Sequence, residues 1–181
     1  MKKINALKIS IFSLLFTALV PATLLAQDDD RTKLMADAEN AKAEFIKSDG
    51  LMQSLFDKSA GYVIFPNVGK GAIGVGGAAG NGILYENGKA VGHAKMKQVT
   101  VGFQFGGQAY REVIFFEDKA ALDRFKTGNF ELSAQASAVA VTKGASVDVK
   151  YRNGVMIFTQ EKGGLMYEAS VGGQHFDYEG F

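Results

Sequence analysis

The chain has 181 residues, with 20 basic and 19 acidic side chains, and 47% of its residues are hydrophobic. This balance of charge argues against a protein that binds nucleic acid or anionic membranes by non-specific attraction alone. The absence of cysteine excludes disulfides, thiolate metal sites and lipid attachment through a cysteine. Two histidines, His93 and His175, are too few for a metal site. We predict surface or structural roles for them and no metal or cofactor.

The first 26 residues are predicted to be a secretory signal peptide. Three lysines precede an apolar run over residues 9–20, which is too short to span a bilayer comfortably. Cleavage is expected after Ala26, with Ala22 as the alternative site and an uncleaved membrane anchor as the rival interpretation. Removing residues 1–26 leaves 17 basic and 19 acidic residues, a net charge of −2. We expect a periplasmic or secreted protein, or one peripheral on a membrane.

A helical segment is predicted over residues 27–59. Its first helix, residues 30–48, has apolar side chains spaced along one face. These are Leu34, Ala38, Ala41 and Phe45. The acidic residues 28–30 are expected to cap this helix and Asp49-Gly50 to end it, before a short second helix over residues 51–58. Because its polar face is not basic, we expect the first helix to cover a sheet and not a membrane.

From residue 60 onward the hydrophobic period changes to two, which predicts strands. They are expected over residues 62–65 (closed by Pro66), 82–85, 89–96, 99–105, 112–116, 130–141, 145–151, 155–160 and 165–171. Asn87-Gly88 and Asn153-Gly154 are hairpin signals, and Asp118 is expected to cap a helix that runs to Lys126. The predicted fold is α+β: an antiparallel β-rich sandwich or partial barrel over residues 60–181, with N-terminal helices and one helix inserted mid-chain.

Thirteen of the 22 glycines lie within residues 61–107. A sheet uses glycine where another surface must come close, so a small-residue face is the first candidate for a binding site. Its candidate members are Gly69, Gly71, Gly74, Gly76 and Gly77. Residues 69–74 also match G-x-G-x-x-G, but the glycines that follow cannot begin the helix that a dinucleotide site requires.

Basic and titratable residues alternate along residues 89–97 and are predicted to share one side of a strand. They are Lys89, His93, Lys95 and Lys97. Lys70, Arg111 and Lys143 would join them if the fold brings them close. Such a stripe beside a glycine face would bind phosphate groups. The alternative is a solvated strand face with scattered lysines.

No catalytic motif is found in the chain. It contains no G-x-S-x-G, and the neighbouring carboxylates Glu117 and Asp118 are explained by helix capping. We therefore predict that the protein is not an enzyme. A pocket that holds His93 or His175 beside a carboxylate would reopen that possibility.

The chain resembles the SYLF domain family from about residue 60 to residue 176. An ordered series of segments carries the resemblance. These are residues 60–66, 68–71, 74–77, 80–82, 101–108, 113–116, 121–125, 134–141, 162–165 and 169–171. Each segment alone is a weak signal, whereas their order along most of the chain is specific.

The resemblance implies binding to membrane lipids, with phosphoinositides bound by eukaryotic members and actin by yeast ones. This chain departs from the eukaryotic pattern because its N-terminal helix is acidic and no SH3 or FYVE domain accompanies it. We therefore expect an exported, non-enzymatic protein that binds anionic phospholipid or a membrane surface, and no nucleic acid. The alternative is a structural protein of the cell envelope, whose glycine-rich face contacts a protein partner or a second copy of itself.

Overall fold

The computed structural model describes residues 20–73, 75–101, 108–128, 130–133, 136–162 and 169–181. The chain divides into two compact units, Met1–Lys33 and Leu34–Phe181. The described part of the first unit is the beginning of helix α1, where Arg31 Nη2 donates to Asp28 Oδ1 at 2.5 Å. None of the helices in these ranges has both the length and the apolar character needed to cross a bilayer.

Helix α1, Val20–Ser48, begins ten residues earlier than predicted. Residues 28–30 therefore lie inside the helix and do not cap it. Nothing in residues 20–29 opposes a helix, since Pro21 falls in the first turn, where a missing N–H group costs nothing. The predicted end is confirmed, because the helix stops at Ser48. Helix α2, Met52–Lys58, confirms the second predicted helix.

The described strands form one sheet of nine. They are β1 (Gly61–Ile73), β2 (Val75–Glu86), β3 (Lys89–Val101), β4 (Gln108–Phe116), β5 (Phe130–Glu131), β6 (Ser137–Ala140), β7 (Val155–Glu161), β8 (Ala169–Ser170) and β9 (Gln174–Gly180). Their order is β5-β9-β3-β2-β1-β4-β7-β6-β8. The pair β6 and β7 is parallel, and the other pairs among the described residues are antiparallel. The α+β class and the partial barrel are confirmed.

The connection between β5 and β6 shows why the sheet must curl. Seven strand spacings separate these two strands in the sheet order, which would place them roughly 34 Å apart in a flat sheet. Only six residue steps separate Glu131 from Ser137, and a chain of that length reaches at most roughly 22 Å. The two edges must therefore approach each other, and the sheet bends into a half-barrel.

Helices pack on part of each face of the sheet. One face packs on α1 and α2 through Ala38, Ala41, Phe45, Met52 and Phe56. The other face packs on helix α3, Lys119–Lys126, through Ala121, Leu122 and Phe125. The predicted cap of α3 is confirmed, since Asp118 Oδ1 accepts from the backbone N–H of Ala121 at 2.8 Å.

The first hairpin confirms the turn prediction and corrects the strand that precedes it. Asn87 and Gly88 have φ values of 51° and 72°, as a type I′ turn requires. Pro66 does not close a strand, because β1 continues to Ile73. The register between β1 and β2 shifts between Ile64 and Asn67, so the proline, which has no N–H to donate, lies in a bulge.

The second half of the chain departs furthest from prediction. Residues 145–151 form turns and not a strand, because Asp49 Oδ2 accepts from Ser146 N at 2.9 Å and from Ser146 Oγ at 2.7 Å. Among the described residues of the predicted strand 130–141, which leave out 134 and 135, only those of β5 and β6 are in strands. Asn153-Gly154 does turn the chain into β7, as expected. Residues 102–105 and 165–168 of two predicted strands lie outside the described residues. Strand β9 was not predicted.

Candidate functional site

A row of small residues crosses the exposed face of the sheet. Ala109 on β4, Gly69 on β1 and Ala79 on β2 are direct neighbours in register, and all three are exposed. The next row pairs Gly71 with Gly77. We call these five residues the bare strip. No side chain larger than a methyl group stands on it, so a flat partner can approach the backbone closely.

The glycines of the sheet serve two purposes. A Cβ atom at Gly69 would meet no atom within 4 Å, and one at Gly77 would lie 3.2 Å from the Gln98 carbonyl oxygen. In contrast, a Cβ at Gly82 would lie 2.7 Å from the Phe65 ring, and one at Gly92 would lie 2.3 Å from the Tyr178 ring. The latter two glycines make room for aromatic packing, and only the former leave the surface bare.

Two of the predicted glycines do not extend the strip. Gly76 pairs with Ala72 on β1 and with Thr100 on β3, one position out of phase with Gly77. Gly74 lies outside the described residues. The small-residue face is therefore narrower than the run of glycines in the sequence suggests.

The predicted basic stripe is interrupted by a bulge in β3. Leu84 pairs with Gly92 but Tyr85 pairs with Ala90, so Val91 is an extra residue in the strand. A bulge of one residue exchanges the faces of the side chains before it. The prediction that Lys89 shares a face with His93, Lys95 and Lys97 is therefore wrong.

Lys89 instead lies on the side of α3. It pairs with Glu86, and the carboxylate of Glu86 contacts the Lys126 ammonium on that helix. The three remaining members of the stripe, His93, Lys95 and Lys97, stand next to Ile83, Asn81 and Ala79 of β2. Lys97 thus borders the bare strip directly. Beyond it, Val99 pairs with Gly77 and is 74% exposed.

The other three basic residues proposed for the stripe lie in three different surroundings. The Lys70 backbone pairs with Ala78 and Gln108, and its side chain lies outside what the structure describes. Arg111 is only 16% exposed, donates to Gln160 Oε1 at 2.7 Å and lies 3.7 Å from Glu44 Oε2. Lys143 belongs to the turns between β6 and β7, outside the strip.

Lys162 is a further basic neighbour of the strip, and it was not among the basic residues proposed from the sequence. Its backbone N–H donates to the carbonyl of Ala109 at 3.0 Å, and its ammonium contacts Asn67 Oδ1. Its proximity to the strip follows from the pairing of β4 with β7, which no local pattern indicates.

Acidic residues of β9 and β5 face the lysines. His93 pairs with Glu179, Lys95 with Asp177 and Lys97 with His175, while Glu131 of β5 also pairs with His175. Lys97 Nζ lies 3.9 Å from Asp177 Oδ2, and His175 Nε2 lies 3.6 Å from Asp177 Oδ1. The lysines are therefore largely offset by neighbouring carboxylates.

These pairs do not form a catalytic pocket. His175 and Asp177 are 41% and 48% exposed on an open sheet face. Within the described ranges, no cluster of three or more histidine, cysteine, aspartate or glutamate side chains is arranged to hold a metal ion. A groove of about 1460 Å³ beside α3 and β7 includes no histidine, and carboxylates and basic groups are mixed around it.

Glu112 is a buried carboxyl group that sequence analysis placed in an apolar strand. It is fully buried and accepts a hydrogen bond from Gln174 Nε2 at 3.1 Å. Burial raises the pKa of Glu112 to about 7, and the bond from Gln174 opposes this shift. The signal available in the sequence was a charged residue two positions from both Tyr110 and Ile114, and therefore on the same buried face of the strand.

Glu112 should make stability depend on pH. Its pKa is raised above the ordinary value of 4.5, so its contribution is complete below about pH 4.5 and is lost as pH rises through about 7. We expect the free energy of unfolding of the wild type, relative to Glu112→Gln, to fall by up to about 1.4 kcal/mol per pH unit across this window. Urea unfolding of both proteins at several pH values measures this difference, and parallel curves would contradict it.

Part of this chain matches a known protein family. Residues 97–178 match the Ysc84 family model, described as "Las17-binding protein actin regulator". This part of the chain is therefore similar to the Ysc84 (SYLF) domain. The resemblance predicted from the sequence is thereby confirmed. The matched residues of the Ysc84 domain include Lys97, Glu112, Gln174 and His175, whereas most of the bare strip precedes them.

A bacterial relative aligns with more of the chain. Over 141 residues the sequence is 30% identical to "Beta cell expansion factor A" from Aeromonas veronii. The alignment covers 77% of this chain and 53% of that protein. The chain thus spans about half the length of this curated relative.

Proposed function

We propose that this protein is a non-enzymatic lipid-binding protein whose bare strip docks on an anionic membrane surface. The observation that carries the proposal is the row formed by Ala109, Gly69 and Ala79. It leaves three neighbouring strands exposed without a large side chain, in a sheet that helices cover elsewhere. The lipid binding that the Ysc84 family suggests supports the same assignment.

The strip and the lysines contribute different interactions. Backbone N–H groups of β1 and β2 are used in the ladder that joins these strands, so the strip supplies a flat contact and few free donors. Lys95, Lys97 and Lys162 stand around it and supply the positive charge for headgroup phosphates. Val99, at the end of the strip, supplies an apolar side chain for the interface.

The first prediction concerns Lys95→Gln combined with Lys97→Gln. Each lysine near an anionic bilayer contributes roughly 1 kcal/mol, so the double variant should bind vesicles about tenfold more weakly or worse. Its binding should also depend less on salt, because fewer charges are screened. Co-sedimentation with phosphatidylglycerol vesicles, compared with phosphatidylcholine vesicles, measures both effects.

The matched control combines Lys89→Gln with Lys119→Gln. It removes the same charge, but Lys89 lies on the other side of the sheet and Lys119 pairs with Asp123 on α3. We expect wild-type binding for this control. Equal weakening by both double variants would show that only net charge matters, and failure of the wild type to bind either lipid would reject the proposed function.

A second prediction identifies the docking face, using the fact that the chain contains no tryptophan. The variant Val99→Trp places a single fluorophore at the end of the strip, and its emission should shift to shorter wavelength when anionic vesicles are added. Val147→Trp is the control, because Val147 is 63% exposed in the turns between β6 and β7. A shift for Val147→Trp alone would place the contact elsewhere.

A protein partner is the alternative occupant of the strip. The family description names a protein-binding activity, and flat small-residue surfaces also accept proteins. One measurement distinguishes a lipid from a protein as the occupant of the strip. Binding of the purified protein to vesicles, without any other component, supports lipid, and its absence supports a protein partner.

The proposal includes export from the cytoplasm. It rests on Lys2, Lys3 and Lys8 before the apolar run of residues 9–20, with Ala26 as the expected cleavage site. The mass of the protein recovered from the envelope fraction of expressing cells should equal that of residues 27–181. Recovery of the full-length mass from the cytoplasm would contradict export.

A further inference from the structure

The two histidines of the chain lie on the same exposed face of the sheet. His93 on β3 and His175 on β9 are separated by 82 positions in sequence, yet the register places them on adjacent strands. His175 is the cross-strand partner of Lys97, which borders the bare strip. Histidine is the side chain whose ordinary charge change falls between about pH 5 and pH 8. Much of the change in surface charge in that range is therefore concentrated beside the candidate site.

The charged neighbours of both histidines are known on each adjoining strand. His93 faces Glu179 of β9, lies two residues before Lys95 on the same face of β3, and stands next to the uncharged Ile83 of β2. Burial of His93 and the charge of Lys95 lower its pKa, and Glu179 opposes them. In this position His93 therefore becomes protonated at a lower pH than an isolated imidazole would.

His175 is surrounded by both signs of charge. Lys97 faces it on β3, Glu131 faces it on β5, and Asp177 lies two residues further along β9 at 3.6 Å. Together with Lys95, Lys162 and Glu179, these groups give three lysines and three carboxylates around the strip among the described residues. With both histidines neutral, the face has a formal charge of zero.

We propose that acidification switches this face from neutral to positive by protonating His93 and His175, so that the protein docks on anionic membranes more strongly at mildly acidic pH. This inference rests on the proposed function and adds its regulation. As the histidines become protonated, the charge of the face rises from zero toward +2. Bound anionic headgroups stabilise the protonated imidazoles, so membrane binding and proton binding reinforce each other.

The test measures vesicle binding at pH 7.5 and pH 5.5 at constant low ionic strength. The vesicles contain equal parts of phosphatidylglycerol and phosphatidylcholine, and pure phosphatidylcholine vesicles are the uncharged reference. We expect the wild type to bind the anionic vesicles on the order of tenfold more tightly at pH 5.5, as two added positive charges near the surface imply. The variant combining His93→Gln with His175→Gln should bind equally at both pH values.

Two further variants test whether the increase in vesicle binding at pH 5.5 has another cause. Glu112→Gln removes the buried carboxyl group that also titrates near pH 7, and it should keep the increase in binding. His175→Gln alone changes a side chain that is 41% exposed, so it tests the inference if the double variant does not fold. It should reduce the tenfold increase to about threefold or less, since the lowered pKa of His93 limits the charge that His93 alone can add at pH 5.5.

The possible results distinguish a failure of the pH switch from a failure of the proposed lipid binding. Equal wild-type binding at both pH values, or an increase that persists without the histidines, would overturn the switch and leave lipid binding intact. An absence of binding to anionic vesicles at both pH values, with circular dichroism showing a folded protein, would overturn the proposed function as well. Circular dichroism at pH 5.5 also identifies any increase that comes from acid unfolding.

Discussion

The pairing of β3 with β2 on one side and with β9 on the other is the constraint on which the candidate site depends. The bulge at Val91 determines which residues of β3 face outward, and the register with β9 then sets a carboxylate or an imidazole beside each of them. A shift of one residue in either pairing would turn Lys95 and Lys97 toward the interior and destroy the face. The same pairings place Gly92 under the Tyr178 ring, so core packing holds the register.

The glycines of residues 61–107 have two roles, one in packing against aromatic rings and one on the bare exterior. Gly82 and Gly92 accept aromatic rings on the covered side, where any Cβ atom would overlap the ring. Gly69 and Gly77 stand on the exposed side, where a Cβ at Gly69 would meet open space. Packing requires the first pair. Packing does not require Gly69, which is the reason for assigning it to an interaction with a partner, whereas a Cβ at Gly77 would lie 3.2 Å from the Gln98 carbonyl oxygen.

Charge around the strip is arranged differently from a simple basic patch. Cross-strand carboxylates offset the lysines, so the face carries little net charge when the histidines are neutral, and the proposed switch would act on that balance. A second titrating group, Glu112, lies in the interior and acts on stability and not on the surface field. The interior carboxyl group and the surface histidines lie in separate places, so an effect of pH on stability can be distinguished from one on the surface.

Local sequence determined the helices, the Asp118 cap, the Asn87-Gly88 turn and the α+β class, because these depend on residues within one or two turns of each other. It also identified Gly69, Gly77, Lys95 and Lys97 as members of one surface. Tertiary structure alone decided that Lys89 leaves that surface, that Lys162, His175 and three carboxylates join it, and that residues 145–151 form turns bound to Asp49. Each of these outcomes depends on register or on a contact between residues distant in sequence. Such contacts are selected by the packing of the whole sheet, and no local period encodes them.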